Sequence, residues 1–233
     1  MNSFVIGQQP RCFALVPAAG VGARSGANGP KQYVPLAGRP MLAHTLAALA
    51  DVKQIEATLV VLSPEDEQFE AALPNFEGWV ARCGGASRAE TVANGLNELT
   101  ARGAQPHDWV LVHDAARCLV RPEWIENLIA KCADDEVGGL LAFPLPDTLK
   151  QGRDSRVTST VDRSGKWAAQ TPQMFRLGLL KPALAHAGAL ATDEASAIEA
   201  LGHAPLLVEA PMENFKVTWP ADFALAERLL RTR

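Results

Sequence analysis

The chain is short of the features that mark secreted, membrane-spanning or nucleic-acid-binding proteins. Its four cysteines, Cys12, Cys83, Cys118 and Cys132, form no C-x-x-C pair, which argues against a zinc or thioredoxin-like site. Three of the four fall in apolar runs, where a reduced, buried thiol is the ordinary state. No hydrophobic stretch approaches the roughly 20 residues of a membrane helix. Residues 1–11 have neither the basic start nor the apolar run of a signal peptide. Together these absences predict a cytoplasmic, soluble protein with no membrane partner. Lys plus Arg number 22 against 26 Asp plus Glu, a formal charge of −4 with no long block of one sign, so the basic face of a nucleic-acid binder is missing. A small anionic ligand stays open, because a few local cations suffice for it. No internal repeat or low-complexity tract is visible.

What is present alternates. Short apolar runs at residues 12–16, 58–62, 79–83, 109–113, 139–143 and 206–209 read as strands buried on both faces. Between them lie helix signals. Residues 41–50 are one. Ser63-Pro64-Glu65-Asp66 offers an N-cap, a proline at the first helical position and acids in the first turn. Ser87-Arg88-Ala89-Glu90 fits a capping box. Residues 122–133, 177–187, 193–200 and 222–230 complete the set. The length of 233 residues allows one or two domains; the reading is a single α/β domain, a mainly parallel sheet with helices on both faces. Residues 147–172 break the rhythm. They carry Lys150, Arg153, Arg156, Arg163 and Lys166 among β-branched residues, and predict an extended β-arm that leaves the core and packs on a partner.

Ligands of such sheets sit at the carboxyl ends of the strands, so the residues that follow each strand matter most. After the first strand comes a long loop, 18–31, with Gly20, Gly22, Arg24 and Lys31. It is not a P-loop, which ends in G-K-[ST]. It is not a dinucleotide fingerprint either, because Ser25 replaces the third glycine and the run from Gly26 to Pro30 forbids an immediate helix. Such a loop can wrap a triphosphate with amides and two cations. Asp114 follows the strand at 109–113, where a carboxylate suits Mg²⁺ bound together with substrate phosphates, although helix capping or a salt bridge would explain it equally well alone. Arg117 lies three residues on. Arg163 and Lys216 are unremarkable by spacing alone.

The ordered set is more telling than any one motif. Pro17-Ala18-Ala19-Gly20-Val21-Gly22-Ala23-Arg24 with Pro30-Lys31-Gln32-Tyr33 is followed by Gly84-Gly85 and Val112-His113-Asp114-Ala115-Ala116-Arg117. Then come Asp147-Thr148-Leu149-Lys150, Val161-Asp162-Arg163, Gln170-Thr171-Pro172-Gln173, Thr192-Asp193-Glu194-Ala195-Ser196-Ala197 and Asn214-Phe215-Lys216-Val217-Thr218. This succession, covering nearly the whole chain, resembles the 2-C-methyl-D-erythritol 4-phosphate cytidylyltransferases of the non-mevalonate isoprenoid pathway. The resemblance implies a Rossmann-like nucleotidyltransferase fold, CTP and a polyol phosphate as substrates, a divalent cation such as Mg²⁺, and a homodimer whose arms cross between subunits. It implies that Arg24 and Lys31 stabilise the transition state, that Asp114 binds the metal, and that Arg163 and Lys216 position the sugar phosphate with Arg117, Thr148 and Thr192 nearby. Ala18, Ala19, Gly20, Gly22, Gly85, Thr91 and Ala115 fall at its nucleotide-binding positions. Four positions depart from the family's pattern, Ser25, Ala86, Cys118 and Trp219, and none removes a charged catalytic group. Ribitol-5-phosphate cytidylyltransferase is the nearest alternative; a dinucleotide-dependent oxidoreductase and a non-catalytic nucleotide-binding regulator are the alternatives of other classes.

Overall fold

Every side chain of the first strand has an apolar environment whichever way it points. Phe13 and Leu15 face one layer of helices, while Cys12, Ala14 and Val16 face another. That double burial is why the run carries no polar alternation. The computed structural model of the chain describes residues 9–20 and 29–233. In chain order the elements are β1 (Cys12–Pro17), a small ribbon of β2 (Pro35–Leu36) and β3 (Arg39–Pro40), α1 (Met41–Ala50), β4 (Ile55–Val61), α2 (Phe69–Ala72), β5 (Trp79–Ala81), α3 (Arg88–Ala101) and β6 (Trp109–Val112). Then follow α4 (Pro122–Cys132), β7 (Gly138–Pro144), β8 (Leu149–Arg153), β9 (Arg156–Val161), β10 (Trp167–Arg176), α5 (Leu177–Ala187), α6 (Glu194–Ala200), β11 (Leu206–Glu209) and α7 (Pro220–Arg231).

Seven strands form the main sheet in the order β11-β7-β10-β6-β1-β4-β5. α1 and α4 cover one face through Leu42, Leu46, Leu49, Ile125 and Leu128. α3, α5 and α6 cover the other through Val92, Leu96, Leu99, Leu180 and Ile198. Burial of each such side chain contributes roughly 1.5–3 kcal/mol relative to exposure. A third cluster seats α7 against Met41, Leu119 and Val217, bringing the C-terminal segment back beside the β6 loop.

The fold class is as expected, with specific differences. All main-sheet pairings are parallel except those of β10, which runs antiparallel between β6 and β7. The predicted arm is correspondingly shorter than residues 147–172. Only β8 and β9 project as a separate two-stranded hairpin, and from Trp167 the chain re-enters the core. No helix starts at Ser63. Its hydroxyl bonds the Glu65 carboxylate rather than a backbone amide, and Asp66 instead receives the amides of Gln68 and Phe69 to open the four-residue α2. Only Phe69 of that helix is buried, so nothing drives a longer one. Ser87 does cap α3, accepting from the Glu90 amide, but the Glu90 carboxylate receives the Ala86 amide rather than that of Ser87, so the box is shifted by one residue.

Candidate active site at the strand carboxyl ends

β1 has β4 on one side and β6 on the other, so the connections that follow the strands part in opposite directions between β1 and β6. That reversal opens a crevice at the carboxyl edge of an open sheet. A pocket of 420 Å³ occupies it, lined by residues 17–20, 31–32, 85–88, 91, 114–116 and 216 with Met41. A larger cavity of 610 Å³ lies between α1 and residues 72–78, at the amino end of β4, and contains none of the predicted site residues.

The pocket wall is tight. The Gly84 amide donates to the Leu62 carbonyl at 2.8 Å, and a Cβ on Gly84 would sit 2.3 Å from that of Ala19. Only glycine allows the segment after β5 to pass so close to the first loop. The Thr91 hydroxyl donates to the Ser87 carbonyl and accepts from the Gly85 amide, which pins the turn over the start of α3. Gln32, buried, donates to the Ala18 carbonyl at 2.9 Å and anchors the far side of the loop. Lys31 crosses the pocket to donate to the Val217 carbonyl at 2.9 Å.

Charge is concentrated at one point. The Asp114 carboxylate accepts from Arg88 Nε through Oδ1 and pairs with Lys216 Nζ through Oδ2, both at 2.8 Å. Burial alone would raise this carboxyl. The charges of Arg88 and then Lys216, with the hydrogen bonds from both, outweigh burial and hold it well below the usual carboxylate range. The other nitrogens of Arg88 grip Glu194 at 2.8 and 3.0 Å. Behind Asp114, His113 is wholly buried, and burial lowers its pKa to about 4, with smaller opposing contributions from Asp114 and the backbone. The carbonyl of Arg117 can only accept, so His113 carries its proton on Nε2. Nδ1 then accepts the Thr171 hydroxyl, whose oxygen in turn accepts the Asp114 amide. His113 is therefore a satisfied structural histidine.

The structure brings together Ala18, Ala19, Gly20, Lys31, Gly85, Thr91, Asp114, Ala115 and Lys216 around this pocket. Gly22, Arg24 and Ser25 lie outside the described residues. Arg117 does not line it: its guanidinium donates to the carbonyls of Asn214 and Ala169, tying the β6 loop to the segment before Lys216. Thr192 lies beyond Arg88, in a separate pocket of 180 Å³ that also contains Glu194. Thr148 and Arg163 are exposed and flank the Leu149–Val161 pair at the open base of the β8–β9 hairpin, and neither lines the pocket of its own chain. Among the described residues no group of three or more His, Cys, Asp or Glu side chains could enclose a metal. Among the described residues, Asp114 is the one carboxylate lining the pocket. Each of its oxygens accepts one cation and keeps a second lone pair. The donor set suits a divalent ion that takes one oxygen here and the rest from phosphates and water.

Comparison with known proteins settles the family. The family model described as IspD, 2-C-methyl-D-erythritol 4-phosphate cytidylyltransferase, matches residues 12–232. The chain belongs to this family. It is 59% identical over 225 residues to the bifunctional enzyme IspD/IspF of Albidiferax ferrireducens, covering 96% of this chain but 54% of that protein. The chain thus spans about half the length of that curated relative. It is 53% identical over 230 residues to the 2-C-methyl-D-erythritol 4-phosphate cytidylyltransferase of Burkholderia cenocepacia, covering 95% of this chain and 96% of the other. A crystal structure of 4-diphosphocytidyl-2C-methyl-D-erythritol synthase superposes with a TM-score of 0.87 at 42% identity, covering 96% of this chain and all of the other. Membership of the cytidylyltransferase family bears out the resemblance and the enzyme class, and does not favour the ribitol-5-phosphate alternative.

Three contributors escaped the sequence reading. Arg88, Glu194 and Thr171 all stand within quoted motifs but had been given no part in the site. One signal for Arg88 was available. It is the first residue of α3, where the helix dipole disfavours a cation, so a compensating anion had to be close. The Gln170–Gln173 motif is a structural hub. Gln170 accepts from Asn214, and Gln173 bonds Asp193 and the Ala195 amide, so both following motifs are fastened to β10.

Proposed function

We propose that the pocket between β1 and β6 binds CTP and that the chain transfers its cytidylyl group to 2-C-methyl-D-erythritol 4-phosphate. The products are 4-diphosphocytidyl-2-C-methyl-D-erythritol and pyrophosphate. The observation that carries this site assignment is the convergence of Arg88 and Lys216 on the Asp114 carboxylate, with Lys31 lining the same pocket, whose other wall is made of small residues and a glycine turn. A base fits beside Ala18, Ala19 and Gly85, while the cations face the phosphates.

A phosphate oxygen of the polyol phosphate attacks the α-phosphorus of CTP, forming a P–O bond as the bond to the pyrophosphate oxygen breaks. That nucleophile is already anionic near neutral pH, so no general base is needed, in keeping with the structural role of His113. The barrier is the approach of two polyanions and the charge gathering at the α-phosphate. Aimed cations lower such a barrier without reorganisation. Lys31 and Arg24 serve the leaving side, and Lys216 serves the incoming phosphate. Asp114 would hold a divalent ion such as Mg²⁺, which when bound supplies further charge neutralisation at the phosphates.

The site is completed by a second copy of the chain. Every residue of β8, and of β9 before Val161, is exposed or half-exposed, and a lone two-stranded ribbon is marginal in water. A two-fold homodimer lets each hairpin carry Thr148 and Arg163 to the other subunit's pocket. Buried free thiols at Cys12, Cys118 and Cys132 support a reducing, cytoplasmic setting. No helix among the described residues is long and apolar enough to cross a membrane. The test is pyrophosphate release with each nucleoside triphosphate and each polyol phosphate. CTP with methylerythritol phosphate should be the preferred pair; preference for ribitol 5-phosphate or for another nucleotide would overturn the reading.

A further inference from the structure

We propose that Arg88 and Glu194 form a positioning relay for Asp114, in which Glu194 clamps the Arg88 guanidinium and Arg88 fixes the carboxylate at the angle the reaction requires. The inference rests on the reading of Asp114 as a working member of the nucleotide site.

Arg88 divides its fork between two carboxylates. Nε donates to Asp114 Oδ1 at 2.8 Å, and the two terminal nitrogens donate to both oxygens of Glu194 at 2.8 and 3.0 Å. A planar guanidinium held at both edges has its orientation fixed, which a point charge on a flexible stem does not. Glu194 is fully buried and both its oxygens are on Arg88. It is the first residue of α6, and that helix start is itself rigid. Asp193 and Ser196 form a reciprocal cap, and the Ala195 amide donates to buried Gln173. Rigidity therefore runs from β10 through α6 and Glu194 to Arg88, and ends on Asp114.

The arrangement matters because the other cation on Asp114 has a second task. Lys216 holds Oδ2 here, and in the proposed reaction it must turn toward the incoming phosphate. Once it does, Arg88 is the side chain that keeps Asp114 from following it. Arg88 keeps its three hydrogen bonds to the two carboxylates when Lys216 leaves, so it can stay in place. Arg88 also lines the pocket itself, whereas Glu194 lines only the smaller pocket behind it. Glu194 thus acts through Arg88. Ties between helices alone would need only one of these contacts.

The test compares Arg88→Lys, Glu194→Gln and the double variant, with Asp114→Asn as reference. Lysine cannot reach both carboxylates, so Arg88→Lys should lose about 10–100-fold in kcat, as losses of orienting partners commonly do. CTP affinity, read by calorimetry without the second substrate, should stay within about threefold, and the thermal midpoint should be little changed. Glu194→Gln keeps the shape and should lose kcat in the same manner. The double variant should be no worse than Arg88→Lys, because the two residues act in series. Near-normal kcat in a folded Arg88→Lys protein overturns the relay. So does a kcat loss matched by equal losses of CTP affinity and thermal stability, or strictly additive single effects. If Arg88→Lys does not fold, Glu194→Gln decides alone. Full activity in Asp114→Asn removes the underlying reading instead, whereas an inactive Asp114→Asn beside a normal Arg88→Lys removes only the relay.

Discussion

Lys216 and Arg163 are assigned to the same substrate phosphate, yet the chain holds them in opposite ways. Lys216 sits on a segment fastened at several points. Asn214, fully buried, donates to Gln170 and to the Thr171 carbonyl, the Val217 amide donates to Ala116, and the lysine itself is on Asp114. Arg163 lies in the turn leaving the hairpin, and among the described residues its guanidinium has no hydrogen-bond or ionic partner. The first cation is preorganised by its own chain, whereas the second is, in the proposed dimer, presented to another. Preorganisation is where electrostatic catalysis gains most, so groups on the pocket wall should govern turnover and groups on the hairpin should govern capture of the polyol phosphate.

The largest effect that would sharpen this contrast belongs to Lys31. Lys31→Ala should lower kcat by about 10²–10³ with a much smaller loss of CTP affinity, since one aimed electrostatic contact typically accounts for that much. Steady-state kinetics beside CTP calorimetry checks it, and near-normal kcat breaks the pocket half of the comparison. Next comes His113, which supports the wall from behind. The unfolded chain protonates this residue below about pH 6.5, whereas the folded protein keeps it neutral down to about 4. Between these values the unfolded state binds more protons, so stability falls as pH falls, by about 3 kcal/mol in all. Denaturant unfolding at pH 7 and at pH 5 should show part of this loss, and His113→Gln should lack it.

Arg163→Ala should raise KM for the polyol phosphate by about 10–100-fold while CTP affinity and thermal stability stay unchanged, because an exposed charge contributes little to folding. A large fall in stability would mean that the hairpin is part of its own core. The smallest effect concerns the glycine wall. In Gly84→Ala the new methyl meets Ala19 and the Leu62 carbonyl, which should cost about 1–3 kcal/mol of stability, as overpacking does. CTP affinity should weaken as Ala19 is pushed into the pocket. Thermal melts with and without CTP would show both.

The same contrast separates what the sequence makes legible from what it hides. β1 and β6 are readable because strands covered on both faces are apolar throughout, whereas β11, expected to be buried on both faces, is an edge strand with Leu207 and Glu209 exposed. β10 is not, because its middle residues Gln170, Thr171 and Gln173 are polar and yet buried as bonding partners of distant loops. The helix expected from Ser63 had start signals but no apolar face to bury. Asp114, Lys31 and Lys216 stand next to strand ends or within recognisable motifs, and the structure assembles them in one pocket. The Arg88–Glu194 pair joins positions 106 residues apart, and no local pattern announces such a pairing.

Subunit complementation tests the divided site most directly. Arg163→Ala and Lys31→Ala protein, each nearly inactive alone under limiting polyol phosphate, are mixed under conditions that exchange subunits. Each heterodimer then has one pocket with an intact Lys31 loop and an intact Arg163 from the other chain. Random pairing should restore about a quarter of wild-type activity, because a two-fold dimer exchanges its arms reciprocally. Absence of recovery, with heterodimers demonstrated in the same sample, would mean that Arg163 serves its own chain and that the site is not shared.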